Sequence, residues 1–376
     1  MLIGVVGGGQ LGRMIALAGI PLGMRFRFLD PNEDCPSAAV GEMVCGPYDD
    51  ERSLDRLLAG AAHVTYEFEN VPASAAHYLE RQARLAPGAR SLAIAQDRIS
   101  EKEFFRRCGV PVQRFAAVSA EADLAGALAE VGLPGVLKTR RLGYDGKGQA
   151  VIRSAAALAS AWQSLGCVPC IYEAFVGFER EVSVVATRSR GGAFEAHPLT
   201  WNTHREGILR VSIAPDPTAS VELRRTAEAH VRAIAESLHH VGTLAVEFFV
   251  TDEGLIANEM APRVHNSGHW TIEGAITSQF ENHVRAVADL PLGRAGMRGA
   301  AAMVNLIGSV PPIEALLDLP GAHVHLYGKE PKPGRKVGHV TVVAKDHDEL
   351  MPIVDRLREI VAESTAAAPP PAPLVR

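Results

Sequence analysis

The first ninety or so residues alternate short apolar runs with a helical pattern. Apolar residues at 3–6, 26–29 and 64–66 are short enough to form buried strands, and residues 13–22 carry the spacing of an amphipathic helix. Strands that alternate with helices are typical of a parallel sheet. We therefore expect a Rossmann-like parallel-sheet unit over residues 1–95.

The rest of the chain predicts more strands than helices. Ser100 and Glu103 have the spacing of a capping box, which predicts a helix from residue 100 to Gly109. A second, longer helix is expected at 223–239. Strands are expected at 136–138, 150–152, 171–173, 181–186, 300–306 and 337–344. The tail is rich in Ala and Pro, so residues 366–376 are expected to be disordered.

The most informative pattern is a pair of apolar runs at 244–250 and 255–260, joined by a Gly-containing turn. A hairpin centred near residue 253 places Glu247 opposite Glu259, with Cβ atoms roughly 5 Å apart. Like charges placed so destabilise a hairpin unless a cation lies between them. Mg²⁺ is typically held by one or two carboxylates together with phosphates and water. In the alternative register, shifted by one residue, the two acids face apart.

A second candidate site is the loop between the strands expected at 136–138 and 150–152. Gly143, Gly146 and Gly148 leave backbone amides free to approach phosphates, and Lys138 adds a point charge from the preceding strand. The loop lacks the GxxxxGK[ST] sequence of a Walker A motif. We expect a mobile phosphate-binding lid here, and the alternative is a flexible hairpin loop without a ligand.

Two polar segments extend this picture. An apolar stretch follows Glu173, so its backbone could pair with adenine while Phe175 covers the ring, and Glu181 could bond ribose hydroxyls. Each signal is weak alone, because a strand-end Glu is usually solvated. The segment from Arg263 to His269 is dense in hydrogen-bonding groups, which indicates substrate recognition or, alternatively, a polar loop.

The glycines at the start of the chain allow two interpretations. Gly7, Gly9 and Gly12 follow a strand and open a helix, and Asp30 lies where a ribose-binding acid could sit. By pattern this is a dinucleotide fingerprint, which would make the chain an NAD-dependent dehydrogenase. The other interpretation is a tight turn that contacts a phosphate of any substrate, because amides at a helix N-terminus attract anions in general.

Composition narrows the function classes. The 376 residues are 47% hydrophobic and 22% charged, as in average globular proteins, and the net charge of −5 gives no footprint for nucleic-acid binding. Five cysteines, an odd number sparsely spaced, suit a reducing compartment better than a disulfide framework. The chain opens without a signal peptide and holds no run of 18 apolar residues, so we expect a cytoplasmic protein without membrane contact.

Together these blocks resemble the ATP-grasp superfamily, and within it the 5-(carboxyamino)imidazole ribonucleotide synthases of purine biosynthesis. The specific blocks are GGGQLGRM, YEFENV, GYDGKGQ, NEMAPRVHNSGHWT and YGKEPKPGRKVGH. The resemblance implies an α/β (α+β overall) ATP-grasp fold. It implies an ATP-grasp domain at 96–295 with a mobile lid at about 112–180, and a small β-rich carboxy-terminal domain at 296–365.

The family carboxylates aminoimidazole ribonucleotide with bicarbonate and ATP, and its members are homodimers. Carried over, Glu247 and Glu259 are the Mg²⁺ ligands, and the glycine loop becomes a wall of the substrate site. The implied catalytic residues are Tyr144, Asp145, Arg263 and His265. The implied ATP-binding residues are Arg98, Lys138, Gly143, Tyr144, Asp145, Gly146, Lys147, Gly148, Gln149, Glu173, Ala174, Phe175, Val176, Glu181, His204, Asn258 and Glu259. The implied substrate-binding residues are Gln10, Glu69, Asn266, Ser267, Lys329, Arg335 and Lys336.

Two positions qualify the resemblance. Ala261 stands where the wider superfamily often has Asn, as in this family, so phosphates and water must fill more of the metal shell. Lys147 stands where relatives often have Arg, which loses bidentate geometry. The nearest alternatives are other ATP-grasp ligases, such as a formate-dependent glycinamide ribonucleotide transformylase or a biotin carboxylase. A non-catalytic nucleotide-binding module is a further alternative, which the intact acidic pair argues against.

Overall fold

The structure is a computed structural model that describes residues 1–82, 85–143 and 146–367. Tyr144 and Asp145, two of the expected catalytic residues, lie outside the described residues. The last helix includes residues 366 and 367, and the remainder of the expected disordered tail also lies outside the described residues. No helix in the described ranges is both long and apolar enough to cross a membrane.

The first sheet has four parallel strands in the order β3-β2-β1-β4, as the alternating pattern predicts. Its strands are β1 (Leu2–Val6), β2 (Arg25–Asp30), β3 (Glu42–Cys45) and β4 (His63–Tyr66). Its helices are α1 (Gln10–Gly19), α2 (Glu51–Leu58), α3 (Ala73–Gln82) and α4 (Ala89–Ala95). Helix α1 begins three residues earlier than predicted, because the Gly9 carbonyl already accepts the first helical bond, from Arg13 N at 3.1 Å.

A small antiparallel sheet follows, in the order β5-β8-β6-β7. Its strands are β5 (Phe115–Val118), β6 (Gly135–Thr139), β7 (Gln149–Ile152) and β8 (Cys170–Ala174). Helix α5 (Arg98–Arg107) precedes it, and α6 (Leu124–Val131) and α7 (Ala155–Ser164) cover it. The β6–β7 connection carries the glycine loop that the sequence assigns to phosphate binding.

The largest sheet is antiparallel, with β10 paired to β9 beside the path β14-β13-β9-β11-β12-β15-β17-β16. Its strands are β9 (Arg180–Arg188), β10 (Phe194–Ala196), β11 (Thr200–Arg205), β12 (Ile208–Ala214), β13 (Gly242–Thr251), β14 (Gly254–Ala261), β15 (Ala300–Ile307), β16 (Ala322–Leu326) and β17 (Lys336–Ala344). The associated helices are α8 (Val221–Ser237), α9 (Thr271–Gly274), α10 (Gln279–Val287), α11 (Ile313–Leu317) and α12 (His347–Ala367).

The carboxy-terminal strands extend the same sheet, because β15 pairs with β12 from Ala301 to Val304. Helix α8 packs on one face, over Val246 and Phe248. Side chains alternate along a strand, so Glu247 points to the opposite face. That face borders the first sheet, which is tied to the rest by a 2.9 Å hydrogen bond between the Thr65 hydroxyl and His283 Nε2. The cleft therefore lies between the first sheet and the largest one.

Helix α5 enters this cleft, and its start differs from the capping-box prediction. The N-cap is Asp97, whose Oδ1 accepts from Ile99 N and Ser100 N at 3.2 Å each. Asp97 also pairs with Arg140 at 2.7 Å and Arg141 at 3.0 Å. The predicted start at Ser100 is therefore wrong, since a carboxylate is available three residues earlier and is held by two cations from the β6–β7 loop.

Replacing Asp97 tests this cap. Burial raises the pKa of Asp97, but Arg140 and the Ser100 amide outweigh burial and hold the pKa below its ordinary value. We expect Asp97→Ala to lower the free energy of unfolding by about 1–2 kcal/mol in urea titrations at pH 7. Asp97→Asn keeps the acceptor oxygen and should lose less.

The pH dependence follows from the lowered pKa. The charge contribution of Asp97 should be fully present above about pH 4, where the unfolded side chain ionises. It should fade as pH falls through the folded pKa. Equal stability of wild type, Asp97→Ala and Asp97→Asn at pH 7 would contradict this account of α5.

Candidate active site

The glycine loop after β1 is closed by the protein's own carboxylates. Gly8 N donates to Asp30 Oδ2 at 2.8 Å, while Glu67 accepts from Gly9 N at 3.0 Å and from Gly12 N at 3.2 Å. Asp30 therefore binds the loop rather than a ribose. Because these amides already have anionic partners, a dinucleotide pyrophosphate is excluded from the position that the fingerprint predicts.

Glu67 was missed by sequence reasoning, which singled out Glu69 in the same YEFENV block. The two carboxylates have separate tasks. Glu67 is buried under the loop, whereas Glu69 Oε1 reaches Arg263 at 2.7 Å across the cleft. Nearby, Lys329 donates a hydrogen bond to Gln10 Oε1. These contacts bring the first sheet, the segment after β14 and the segment before β17 to one place.

The acidic hairpin has the predicted pairing of Glu247 with Glu259, but for a different reason. The turn is tighter than expected, since Thr251 pairs with Gly254, and this register alone would place Glu247 opposite Asn258. A β-bulge between Glu247 and Phe248 shifts the register by one residue, so that Glu247 faces Glu259. The bulge, rather than the turn, creates the acidic pair.

The two carboxylates differ in their electrostatic surroundings. Burial and the negative charge of Glu259 raise the pKa of Glu247 to about 7. Burial also raises the pKa of Glu259, but Arg98 and Lys138 outweigh it and hold that pKa below its ordinary value. Arg98 NH1 lies 3.1 Å from Glu259 Oε2, and His265 Nε2 lies 3.8 Å from Glu247 Oε1. Among the described residues, the shortest ion-pair distance from Glu247 is thus the 3.8 Å to His265.

Lys138 is held at the mouth of the β6–β7 loop by Glu173. Their side chains form a 2.6 Å ion pair, and the Glu173 side chain is only 1% exposed. Burial raises the pKa of Glu173, but Lys138 and Lys102 outweigh it and lower the pKa to about 2. The carboxylate therefore orients a cation and is unavailable to adenine, whereas the adenine contact expected of the backbone stays a prediction.

Two cavities meet at the acidic pair. The first lies toward the glycine loop of β1, and its predicted site residues are Gln10, Glu69, Arg98, Gly143, Glu247, Glu259, Arg263, His265, Asn266 and Lys336. The second lies toward the small sheet, and its predicted site residues are Arg98, Lys138, Gly146, Lys147, Gln149, Glu181, His204, Glu247, Asn258, Glu259, His265, Asn266 and Lys336. Both acids border both cavities.

Within the second cavity, Glu181 and His204 form a hydrogen-bonded pair on neighbouring strands. Burial lowers the pKa of His204, but Glu181 and Glu247 outweigh it and raise the pKa above its ordinary value. The pair leaves the second Glu181 oxygen available to a hydroxyl group. This geometry suits the ribose role that the sequence suggests for Glu181.

Some predicted site residues line neither cavity, among them Gly148, Glu173, Ala174, Phe175, Val176, Ser267, Lys329 and Arg335. Ser267 is a correction: it is fully buried, and its hydroxyl bonds Ser183 and His265 Nδ1 at 2.9 Å each. It therefore orients His265 instead of touching substrate. Arg335 is exposed and donates to the Glu330 carbonyl at 3.3 Å, and its expected contact with the substrate phosphate stays a prediction.

Several lining residues were missed or left without a role. Arg140, Arg141, Gln96 and Glu101 border the first cavity, as do His269 and Tyr327. The last two stood inside recognised blocks, HNSGHWT and YGKE, which was the only available signal. Arg140 and Arg141 could have been suspected from their position beside the lid glycines, because cations there favour phosphate.

Buried polar atoms without protein partners mark where ligands fit. Both side-chain amide atoms of Asn266 are buried and unpartnered among the described residues, as are Asn258 Oδ1 and Arg263 Nε. Buried polar groups are nearly always satisfied, so these atoms call for a bound molecule or water. All three residues border at least one of the two cavities.

The donor set fits a divalent cation that relies partly on its ligand. In the described ranges there is no group of three or more His, Cys, Asp or Glu residues that could hold a metal. Glu247 and Glu259 supply two carboxylates, and Asn258 Oδ1 adds a neutral oxygen close by. Oxygen donors with few protein ligands are typical of Mg²⁺ bound together with nucleotide phosphates.

Three family models match the chain. They are the ribonucleotide synthetase preATP-grasp domain at residues 1–96, the ATP-grasp domain at 103–280 and the phosphoribosylaminoimidazole carboxylase C-terminal domain at 301–352. These matches confirm the ATP-grasp fold that the resemblance implies.

Curated and structurally solved proteins are similar over almost the full length. N5-carboxyaminoimidazole ribonucleotide synthase of Pseudomonas aeruginosa is 50% identical, over 96% of this chain and 99% of its own. The crystal structure of the synthetase from Thermus thermophilus is 52% identical with a TM-score of 0.92, over 96% and 99% of the two chains. The synthase from Aspergillus clavatus, in complex with ADP and 5-aminoimidazole ribonucleotide, is 27% identical with a TM-score of 0.89, over 96% and 98%.

Gly9 tests how tightly the first loop is closed. A Cβ at Gly9 would lie 2.5 Å from Glu67 Oε1, and a shift of the buried Glu67 side chain would break its hydrogen bonds to the Gly9 and Gly12 amides. We expect Gly9→Ala to lower the free energy of unfolding by about 1–3 kcal/mol, as overpacking does. Chemical denaturation measures this change.

Gly126→Ala is the matched control. Gly126 lies inside α6, where an added Cβ meets no heavy atom within 4 Å. The control should stabilise the protein by about 0.5–1 kcal/mol, because Ala favours a helix interior. A neutral Gly9→Ala would mean that Glu67 does not hold the loop.

Proposed function

Because the chain belongs to the family of N5-carboxyaminoimidazole ribonucleotide synthases, we propose that it carboxylates 5-aminoimidazole ribonucleotide with bicarbonate and ATP. The products are N5-carboxyaminoimidazole ribonucleotide, ADP and phosphate, in purine biosynthesis. One observation carries the proposal: two cavities meet at the acidic pair, and both border Glu247 and Glu259. A relative binds ADP and aminoimidazole ribonucleotide together, which matches two adjoining sites.

The second cavity is the proposed ATP site. Lys138 reaches the phosphates from β6, and Glu181 receives the ribose hydroxyls. Glu247 and Glu259 would hold Mg²⁺. Bound there, the cation neutralises charge on phosphate oxygens and acts as a Lewis acid. Arg98, hydrogen-bonded to Glu259, keeps one carboxylate ionised and in place for that ligation.

The first cavity is the proposed site for bicarbonate and aminoimidazole ribonucleotide. Lys336 borders this cavity, and its positive charge suits the phosphate of the substrate. Lys329 donates a hydrogen bond to Gln10, which borders the same cavity. Arg263 is oriented by Glu69 and carries an unpartnered Nε. Asn266, with both amide atoms unpartnered, is suited to donate to one substrate oxygen and accept from a substrate N–H.

The proposed reaction proceeds in three steps. A bicarbonate oxygen attacks the γ-phosphorus of ATP, and the bond to the β-γ bridging oxygen breaks to release ADP. In the carboxyphosphate that forms, the bond between carbon and the bridging oxygen breaks and the carboxyl proton passes to the leaving phosphate, which gives CO₂ and hydrogen phosphate inside the closed cleft, where water is excluded. The substrate amine attacks the CO₂ carbon and then loses a proton. Asp145 is the base expected from the resemblance, and it lies outside the described residues.

His265 is suited to act as a neutral hydrogen-bonding group in this cleft. Burial and the positive charge of Arg263 lower its pKa well below the ordinary value. Its Nδ1 faces the Ser267 hydroxyl, which fixes the ring and leaves Nε2 toward Glu247. A homodimeric assembly and a cytoplasmic location, both expected from the resemblance, stay predictions.

ADP release tests the proposed substrates. We expect purified protein to release ADP from MgATP when bicarbonate and aminoimidazole ribonucleotide are both present, and much more slowly when either is omitted. Formate with glycinamide ribonucleotide is the comparison for the rival ATP-grasp ligase. Stimulation by that pair, and none by the first, would overturn the proposal.

The acidic pair gives a sharper test. We expect Glu247→Gln to lose about two orders of magnitude in ADP release, because a cation site worth several kcal/mol of charge stabilisation is removed. Glu253→Gln is the control, since Glu253 is exposed at the tip of the same hairpin. Circular dichroism checks folding in both variants. Full activity in folded Glu247→Gln would contradict the assignment of Glu247 as a metal ligand.

A further inference from the structure

One face of helix α5 is built against strand β14 at the bulge. Arg98 binds the Glu259 carboxylate at 3.1 Å. One turn later, Glu101 Oε1 accepts from Met260 N at 2.7 Å, and Lys102 Nζ donates to the carbonyls of Ala257 at 3.0 Å and Asn258 at 2.6 Å. Residues three and four apart share a helix face, so all three side chains reach the same strand.

These contacts fall on the bulged residue of β14, Asn258, and on its neighbours along the strand. Asn258 is the extra residue of β14 and has no partner on β13, whereas Ala257 and Glu259 on either side of it are paired. A bulge leaves its extra residue outside the ladder, and a buried backbone group needs a partner. Lys102 supplies a donor to the carbonyls before Glu259, and Glu101 supplies an acceptor to the amide after it.

The ammonium group of Lys102 is buried and is bonded to several protein groups. Its side chain is 0% exposed, and a fully buried ammonium is rare unless it is well bonded. Besides the two carbonyls, it donates to Gln113 Oε1 at 3.3 Å and lies 3.6 Å from Glu173 Oε1. Glu173 in turn holds Lys138 at 2.6 Å. Lys102 therefore links β14, which carries Glu259, to Glu173 on β8, and Glu173 in turn binds Lys138 on β6.

We propose that Lys102 is a positioning residue that keeps the β14 bulge in the register where Glu259 faces Glu247, and thereby sets the metal affinity of the acidic pair. The inference rests on the proposed function, specifically on the metal site. Lys102 borders neither of the two cavities that meet at the acidic pair, so its effect on the reaction is indirect. Residues that orient metal ligands typically change affinity 10–100-fold when they are replaced.

Metal binding tests the proposal directly. Mn²⁺ replaces Mg²⁺ at oxygen sites and is observed by electron paramagnetic resonance, here with saturating ADP. We expect Lys102→Met to weaken Mn²⁺ binding by at least about tenfold. Gln113→Met, which removes the Lys102 bond that leads away from β14, should leave Mn²⁺ affinity unchanged.

Kinetics separates positioning from a general loss of structure. In Lys102→Met, the Mg²⁺ concentration for half-maximal ADP release should rise by about the same factor, and saturating Mg²⁺ should restore much of kcat. A merely structural role would lower the folded fraction and leave the metal requirement unchanged. Mn²⁺ affinity equal to wild type in folded Lys102→Met would overturn the proposal.

A second pair of variants covers the case in which Lys102→Met does not fold. Glu101→Gln keeps an acceptor for Met260 N and Glu101→Leu removes it, so Glu101→Leu should bind Mn²⁺ about tenfold more weakly than Glu101→Gln. Equal Mn²⁺ affinity in these two variants would also overturn the positioning role of α5. Failure of the wild-type protein to bind Mn²⁺ with ADP would instead overturn the metal site itself.

Discussion

Two carboxylates, Glu247 and Glu259, repel each other across one face of an apolar sheet, and the cleft is organised around that repulsion. Burial and repulsion raise the pKa of Glu247 to about 7, while Arg98 stabilises the charge of Glu259. Such a pair costs free energy, because Glu247 is buried beside Glu259 and, among the described residues, has no ion pair as short as the one between Arg98 and Glu259. In the proposed function, a divalent cation and an anionic ligand in the cleft would offset that cost, which would tie the fold of the hairpin to the proposed chemistry.

A regular hairpin could not produce this pair. The turn from Thr251 to Gly254 sets a register in which Glu247 faces Asn258, and the bulge is needed to bring in Glu259. Bulges recur beside active sites because they re-aim side chains, but they leave backbone groups that need partners. Here α5 supplies such partners, because Lys102 donates to the carbonyl of the unpaired Asn258 and Glu101 accepts from Met260 N on the free edge of β14. In the proposed account, the position of the acidic pair therefore depends on buried side chains of α5.

Sequence patterns predicted much of this fold, because periodicity and turn residues act locally. The parallel sheet, the strands on either side of the β6–β7 loop and the hairpin that carries Glu247 and Glu259 were all predictable in this way. The bulge was not, since its stabilising contacts come from Lys102, more than 150 residues earlier in the chain. The true cap of α5 was missed for a similar reason: Asp97 is held by Arg140, a long-range contact that no capping pattern encodes.

The glycine loop after β1 shows what a local sequence motif can predict and what it cannot. Gly7, Gly9 and Gly12 predicted a strand–turn–helix with exposed amides, and that backbone geometry is present. The ligand was decided elsewhere, because Glu67 at the end of β4 places its carboxylate on two of those amides. An anion site can be filled by any anion, including one from the same chain. A motif of this kind therefore specifies the conformation of a loop, and the residues facing it determine whether it binds a ligand or serves as a wall.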